Sequence, residues 1–127
     1  MGVGVLLTLA VLTSHAAAVW QSDQTLWKQA VSVTPDRPRP LVNLARATFV
    51  AATSTEDYET ALRLTETAQA RLAIRPRARE WQLITAVNRA LLLLALHRPD
   101  DARIAVHDAL AHDPNFFPAR RIAAWLD

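Results

Sequence analysis

The fold is indicated most clearly by residues 101–116, which read DARIAVHDALAHDPNF. Ala102 and Ala109 are small, the larger apolar Val106 lies between them, and Pro114 follows. Two helices approach closely only where small side chains face each other, while a larger apolar side chain fills the adjoining hole. The stretch therefore predicts one helix of a tightly packed antiparallel pair, which ends before Pro114 because proline lacks an N–H group.

Parts of this pattern recur earlier in the chain. Trp27 and Ala30 stand in the same relation to Pro35, which predicts the second helix of an earlier pair whose first helix would be the apolar N-terminal segment. The sequence VNLA at 42–45 recurs as VNRA at 87–90, so alanine keeps the small packing position in both copies. Recurrence of short helical patterns predicts a repeat protein.

The pattern resembles that of tetratricopeptide repeats. The resemblance implies antiparallel helix pairs stacked as a short superhelical array, and a function in protein binding. The separation of the two copies exceeds the family period of about 34 residues. We place the excess in a longer turn near 52–55, a lengthened helix before Pro76, and about one extra helical turn near 79–83. Residues 21–127 are thus predicted to form a degenerate tetratricopeptide-like domain.

Composition and proline spacing predict an all-α chain. Only two glycines occur, and alanine, leucine and arginine, which favour helices, are frequent. The predicted helices are 21–33, 40–52, 57–74, 79–96, 100–112 and 118–126. Asp57 and Asp100 lie at or just before predicted helix starts, where a carboxylate can accept from free N–H groups and complement the helix dipole.

The N-terminal segment 1–20 contains no Asp, Glu, Lys or Arg, and three interpretations fit it. A membrane anchor needs about 20 predominantly apolar residues, which the segment just reaches. A cleaved signal peptide would explain the pattern Ala16-x-Ala18, and the third interpretation is an apolar helix packed on the next one. We expect a single N-terminal membrane span with the repeat domain on the extracytoplasmic side, or alternatively a secreted or periplasmic protein.

A narrower resemblance covers residues 3–45. The residues that carry it are Trp20, Leu26, Trp27, Pro35, Arg39, Asn43 and Leu44. They look like the junction between the last membrane helix and the first repeat in protein O-mannosyltransferase-like glycosyltransferases. The resemblance implies an accessory tetratricopeptide domain of such an enzyme, or one derived from it, and no activity is carried over because the catalytic part is not in this sequence.

Several kinds of chemistry are disfavoured. The chain has no cysteine, which excludes disulfides and thiolate metal ligands. His107 and His112 are five positions apart, whereas two metal ligands on one helix take the i, i+4 spacing. The net charge of +2 does not predict nucleic-acid binding. We therefore predict a non-catalytic protein without cofactor or metal, whose partner is a protein or peptide.

The predicted partner-binding residues follow from the family resemblance, which implies that the first helix of each pair lines the binding groove. The position two before the small packing residue is Asn43 in one copy and Asn88 in the other, and an amide can both donate to and accept from a peptide backbone. Arg39 and Arg46 lie about one turn away from Asn43 and share its face. The alternative is that these are ordinary solvent-facing side chains.

Two other surfaces are candidates for contacts. Arginines at positions 71, 75, 77 and 79 form a basic cluster that would suit phosphate, or would simply be a solvated helix end. Ile122, Trp125 and Leu126 form an apolar stripe on the last predicted helix. Either this helix closes the last groove of the array, or the chain self-associates through it.

Overall fold

A computed structural model describes residues 23–127, and in this part of the chain all regular secondary structure is helical. The described residues form α1 (23–33), α2 (Pro38–Val50), α3 (Thr55–Ala73), α4 (Arg79–Ala95), α5 (Pro99–His112) and α6 (Phe117–Leu126), with a short 3-10 helix at Pro76–Ala78. From α2 onward, each predicted helix end lies within two residues of the observed one. The prediction of an all-α chain is confirmed for these residues.

The predictions for segment 1–20, namely an apolar helix, a membrane anchor or a signal peptide, concern residues outside the described part of the chain. Within residues 23–127, no helix is both long and apolar enough to cross a membrane.

Each helix packs antiparallel against the next. Near the start of α1, Gln24 Nε2 donates to Thr48 Oγ1 near the end of α2, at 3.3 Å. At the start of α4, Arg79 Nη2 donates a hydrogen bond to the carbonyl oxygen of His112 at the end of α5, at 2.6 Å. Bonds that join the start of one helix to the end of the next require opposite directions, so the described chain is a stack of helical hairpins with a repeat-like architecture.

The helix starts show which of the two predicted caps is real. Ser54 is the N-cap of α3: its hydroxyl accepts from the Asp57 N–H, and the Asp57 carboxylate accepts from the Ser54 N–H. Asp57 therefore takes part in a reciprocal capping box, as expected of a capping residue. Asp100 is not a cap, because Pro99 already begins α5 and the Asp100 carboxylate accepts from Arg103 at 3.0 Å. It lies in the first turn of α5, where its charge complements the helix dipole as expected.

The turn between α4 and α5 depends on a left-handed residue. His97 has φ 58°, a region that favours glycine. The N–H of His97 donates to the Leu94 carbonyl at 3.0 Å, and the N–H of Arg98 donates to the Leu93 carbonyl at 2.8 Å. This pair of bonds is the Schellman arrangement, which satisfies the last carbonyls of a helix and reverses the chain.

The small packing positions are in the core, as predicted. Ala102 is 0% and Ala109 is 1% exposed, and both belong to one buried cluster with Leu83, Val87 and Leu93 of α4. A second buried cluster joins α2 to α3. The alanines let α5 approach α4 closely, which is the role that their spacing predicts.

Helix lengths bear on two of the three places in which the sequence predicts extra residues between the two copies. Helix α4 has 17 residues and α2 has 13, and both end five residues after their packing alanines, Ala90 and Ala45. The extra turn is therefore at the start of α4, and one whole turn preserves the buried face. The lengthened helix before Pro76 is α3, with 19 residues.

Candidate binding surface

Helices α2, α4 and α6 lie side by side in one layer. Helix α2 contacts α4, and α4 and α6 form the two walls of a groove. Each of the three helices turns an alanine toward the core, and the residues two positions earlier are Asn43, Asn88 and Arg121. Ala123 follows Ala90 by 33 positions, close to the family period of about 34. One polar residue thus occupies the same place on each helix of the layer.

The predicted residues of α2 share an accessible stripe. Arg39 and Arg46 are exposed and Asn43 is half-buried, whereas Leu41, Leu44, Ala45 and Thr48 on the opposite side are buried. Within residues 23–127, the side chains of Arg39, Asn43 and Arg46 form no hydrogen bond or ion pair. Their polar groups are therefore available to a ligand, although binding itself stays a prediction.

On α4, Asn88 is half-buried and its surroundings differ from those of Asn43. The residues next to it on the same face are Ile84 and Leu91. The corresponding positions beside Asn43 on α2 are Arg39 and Arg46. Arg89 points elsewhere: its Nε lies 3.3 Å from Glu66 Oε1 on α3. The layer is therefore charged at α2 and apolar around the amide of α4.

The groove between α4 and α6 has a volume of about 540 Å³. Its walls are Val87, Leu91 and Leu94 from α4 and Pro118, Arg121, Ile122 and Trp125 from α6. Trp125 is 74% and Leu91 38% exposed, so large apolar side chains at this groove face solvent. Exposed apolar surface of this kind is typical of a binding site.

The apolar stripe predicted on the last helix divides between two roles. Ile122 and Leu126 pack against the core, and Ile122 also lines the groove together with the exposed Trp125. Sequence reasoning did not identify Leu91 or Arg121 as surface residues of interest. A signal for Arg121 existed, because it precedes Ala123 by two positions, as Asn43 precedes Ala45.

The basic cluster predicted at positions 71–79 does not converge on one site. Arg71 Nη2 lies 3.6 Å from Asp36 Oδ1, and Arg79 is bonded to the carbonyl of His112. Arg75 and Arg77 are exposed. Two of the four arginines thus connect parts of the chain. None of the four lines the cleft of about 370 Å³ that is formed by residues of α3, α4 and α5.

Titratable side chains in the described part show little organisation for chemistry. Within residues 23–127, no three His, Asp or Glu side chains are grouped to hold a metal ion, and His107 and His112 are exposed. The pKa of Asp57 is lowered, chiefly by the N–H of Thr53 and then by Ser54, so its perturbation belongs to the helix cap.

Comparison with known proteins leaves the family open. No protein-family model matches the chain, and no curated protein matches it. What bears on function is therefore the layer itself: a charged stripe on α2, an amide on α4, and an apolar groove beside Arg121.

Proposed function

We propose that the chain is a non-catalytic protein-binding module of the tetratricopeptide type, which holds a peptide segment across α2, α4 and α6. The observation that carries the proposal is a row of three polar side chains, Asn43, Asn88 and Arg121. They form no hydrogen bond or ion pair within residues 23–127, and the row ends at the exposed groove that contains Trp125. A core asparagine or arginine would have to be bonded internally, whereas these side chains make no bond within residues 23–127.

The chemistry of the row suits a peptide backbone. An asparagine amide offers donors and an acceptor, which a peptide N–H and carbonyl can satisfy together. Asn43 and Asn88 lie on adjacent helices, so one extended segment could use both. The groove at α6 adds apolar contact area, and tryptophan and arginine are the residues that most often dominate binding energy at interfaces.

The test is selection from a library of random peptides of about 12 residues displayed on phage, with the full-length chain as bait. The dissociation constant of a selected, fluorescein-labelled peptide is then measured by fluorescence anisotropy. Asn43→Ala and Asn88→Ala should each weaken binding by about 3- to 10-fold, which corresponds to one lost hydrogen bond.

Gln29→Ala is the matched control, because Gln29 is an exposed amide on α1 outside the layer. It should bind the peptide like the wild type, and all three variants should keep the helical circular-dichroism spectrum. Failure to select any peptide, or full affinity in both asparagine variants, would contradict the proposal.

Membrane tethering through the uncharged segment 1–20, with the module on the extracytoplasmic side, forms the second part of the proposal. Membrane fractionation combined with N-terminal sequencing of the mature protein tests it. An intact N-terminus in the membrane fraction supports an anchor. A new N-terminus after Ala18 would instead support a secreted or periplasmic protein.

A further inference from the structure

The small net charge conceals a separation of charge between two sets of helices. Each of α2, α4 and α6 contains two arginines, and the three helices together contain a single carboxylate, Glu80. Helix α3 contains four carboxylates and two arginines, and α5 contains three carboxylates and one arginine. We call α2, α4 and α6 the basic layer and α3 and α5 the acidic layer. Their formal charges are +5 and −4.

Most of the positive charge in the basic layer is not neutralised within the described chain. Arg89 is paired with Glu66, and Arg79 is bonded to a backbone carbonyl. The other four arginines of the layer, Arg39, Arg46, Arg120 and Arg121, are exposed and form no ion pair within residues 23–127. Unpaired charges of one sign along a surface attract a ligand of the opposite sign.

Arg121 connects this charge to the apolar groove. It lines the groove together with Ile122 and Trp125, and its Cζ lies 5.8 Å from the centre of the Phe117 ring. A guanidinium held against an aromatic ring keeps its hydrogen-bond donors free for a planar carboxylate. The groove therefore offers apolar contact and a carboxylate contact next to each other.

We infer that the partner is an acidic peptide, which places a bulky apolar side chain in the groove between α4 and α6 and a carboxylate on Arg121. Further carboxylates of the same peptide then meet Arg46 and Arg39 where the segment crosses α2. This inference rests on the proposed function and adds the chemistry of the partner. The carrying observation is charge complementarity at an exposed apolar groove.

A second copy of the chain fits the groove less well. Arg120 and Arg121 lie near the middle of α6, which runs from Phe117 to Leu126. Antiparallel pairing of two α6 helices would bring these arginines of one copy against those of the other, and like charges repel. A nucleic acid would satisfy the arginines, but its phosphates would leave the aliphatic walls at Leu91 and Ile122 unfilled.

The composition of the peptides selected in the library experiment tests the inference separately from the proposed function. We expect Asp and Glu to be enriched together with Leu, Phe or Trp. Peptides that bind but are neutral or basic would overturn the inference and leave the binding module intact. Selection of no peptide would overturn the proposed function itself.

The role of the groove is tested with one selected acidic peptide. Arg121→Gln should weaken binding by about 10-fold or more, because a charge-assisted hydrogen bond is lost. Arg120→Gln is the matched control on the same helix, since Arg120 is exposed but does not line the groove, and it should change the dissociation constant by less than about threefold. Equal losses in both variants would show diffuse attraction and overturn the assignment of Arg121.

Three competing occupants are distinguished in the same series. Raising NaCl from about 0.05 to about 0.5 M should weaken peptide binding without abolishing it, because the apolar contact remains. Tighter binding of single-stranded DNA, or of vesicles containing phosphatidylserine, than of the selected peptide would overturn the peptide assignment. A dimer in light scattering that dissociates when Trp125→Ala is introduced would instead assign the groove to a second copy.

Discussion

The left-handed residue between α4 and α5 allows a prediction about stability. His97 has φ 58°, and its side chain is exposed and forms no hydrogen bond within residues 23–127. A residue with a Cβ pays roughly 1–2 kcal/mol in this conformation. Glycine avoids that cost but loses about 0.5–1 kcal/mol through its larger freedom in the unfolded chain.

His97→Gly should therefore raise the free energy of unfolding by about 0.5–1 kcal/mol. The bonds from the N–H groups of His97 and Arg98 are kept, because they belong to the backbone. Urea unfolding followed by far-UV circular dichroism measures the change, and the melting temperature should rise by about 2–6 °C.

Ala95→Gly is the control, because Ala95 is the last residue of α4 and its helical conformation gives glycine no advantage. It should lower the free energy of unfolding by about 0.5–1 kcal/mol. If His97→Gly were also destabilising, or without effect, the reasoning from left-handed strain would be refuted.

Three further perturbations test other parts of the fold. Ala102→Leu should lower the free energy of unfolding by about 1–3 kcal/mol in urea, because no space remains between α4 and α5. Gln82→Ala should cost about 0.5–1.5 kcal/mol in the same assay, through loss of the bond to the Leu72 carbonyl. The N–H of Thr53 is the main cause of the lowered pKa of Asp57. The stability that the ionised Asp57 carboxylate contributes is therefore present above about pH 3.8 and is lost as the pH falls below that value. The difference in melting temperature between wild type and Asp57→Asn should accordingly shrink between about pH 7 and about pH 3.

Local sequence patterns were sufficient for the helices and for the small packing residues. Proline and helix-forming residues act within a few positions, so helix ends could be predicted to within two residues. Ala102 and Ala109 could be assigned to a helix contact because close approach demands small side chains wherever it occurs. Asp100 was misassigned because the residue that starts α5 is Pro99, and a cap depends on the position of that first residue.

The candidate site depended on which distant helices become neighbours. Asn88 and Arg89 are adjacent in sequence. Only the tertiary structure shows that Arg89 forms an ion pair with Glu66, whereas the Asn88 side chain forms no hydrogen bond within residues 23–127. The groove brings Leu91 together with Arg121 and Trp125, although the whole of α5 separates them in sequence, and no local pattern predicts this contact. The charge separation is equally invisible in a net charge of +2, because opposite charges cancel in the sum but occupy different helix layers once the hairpins stack.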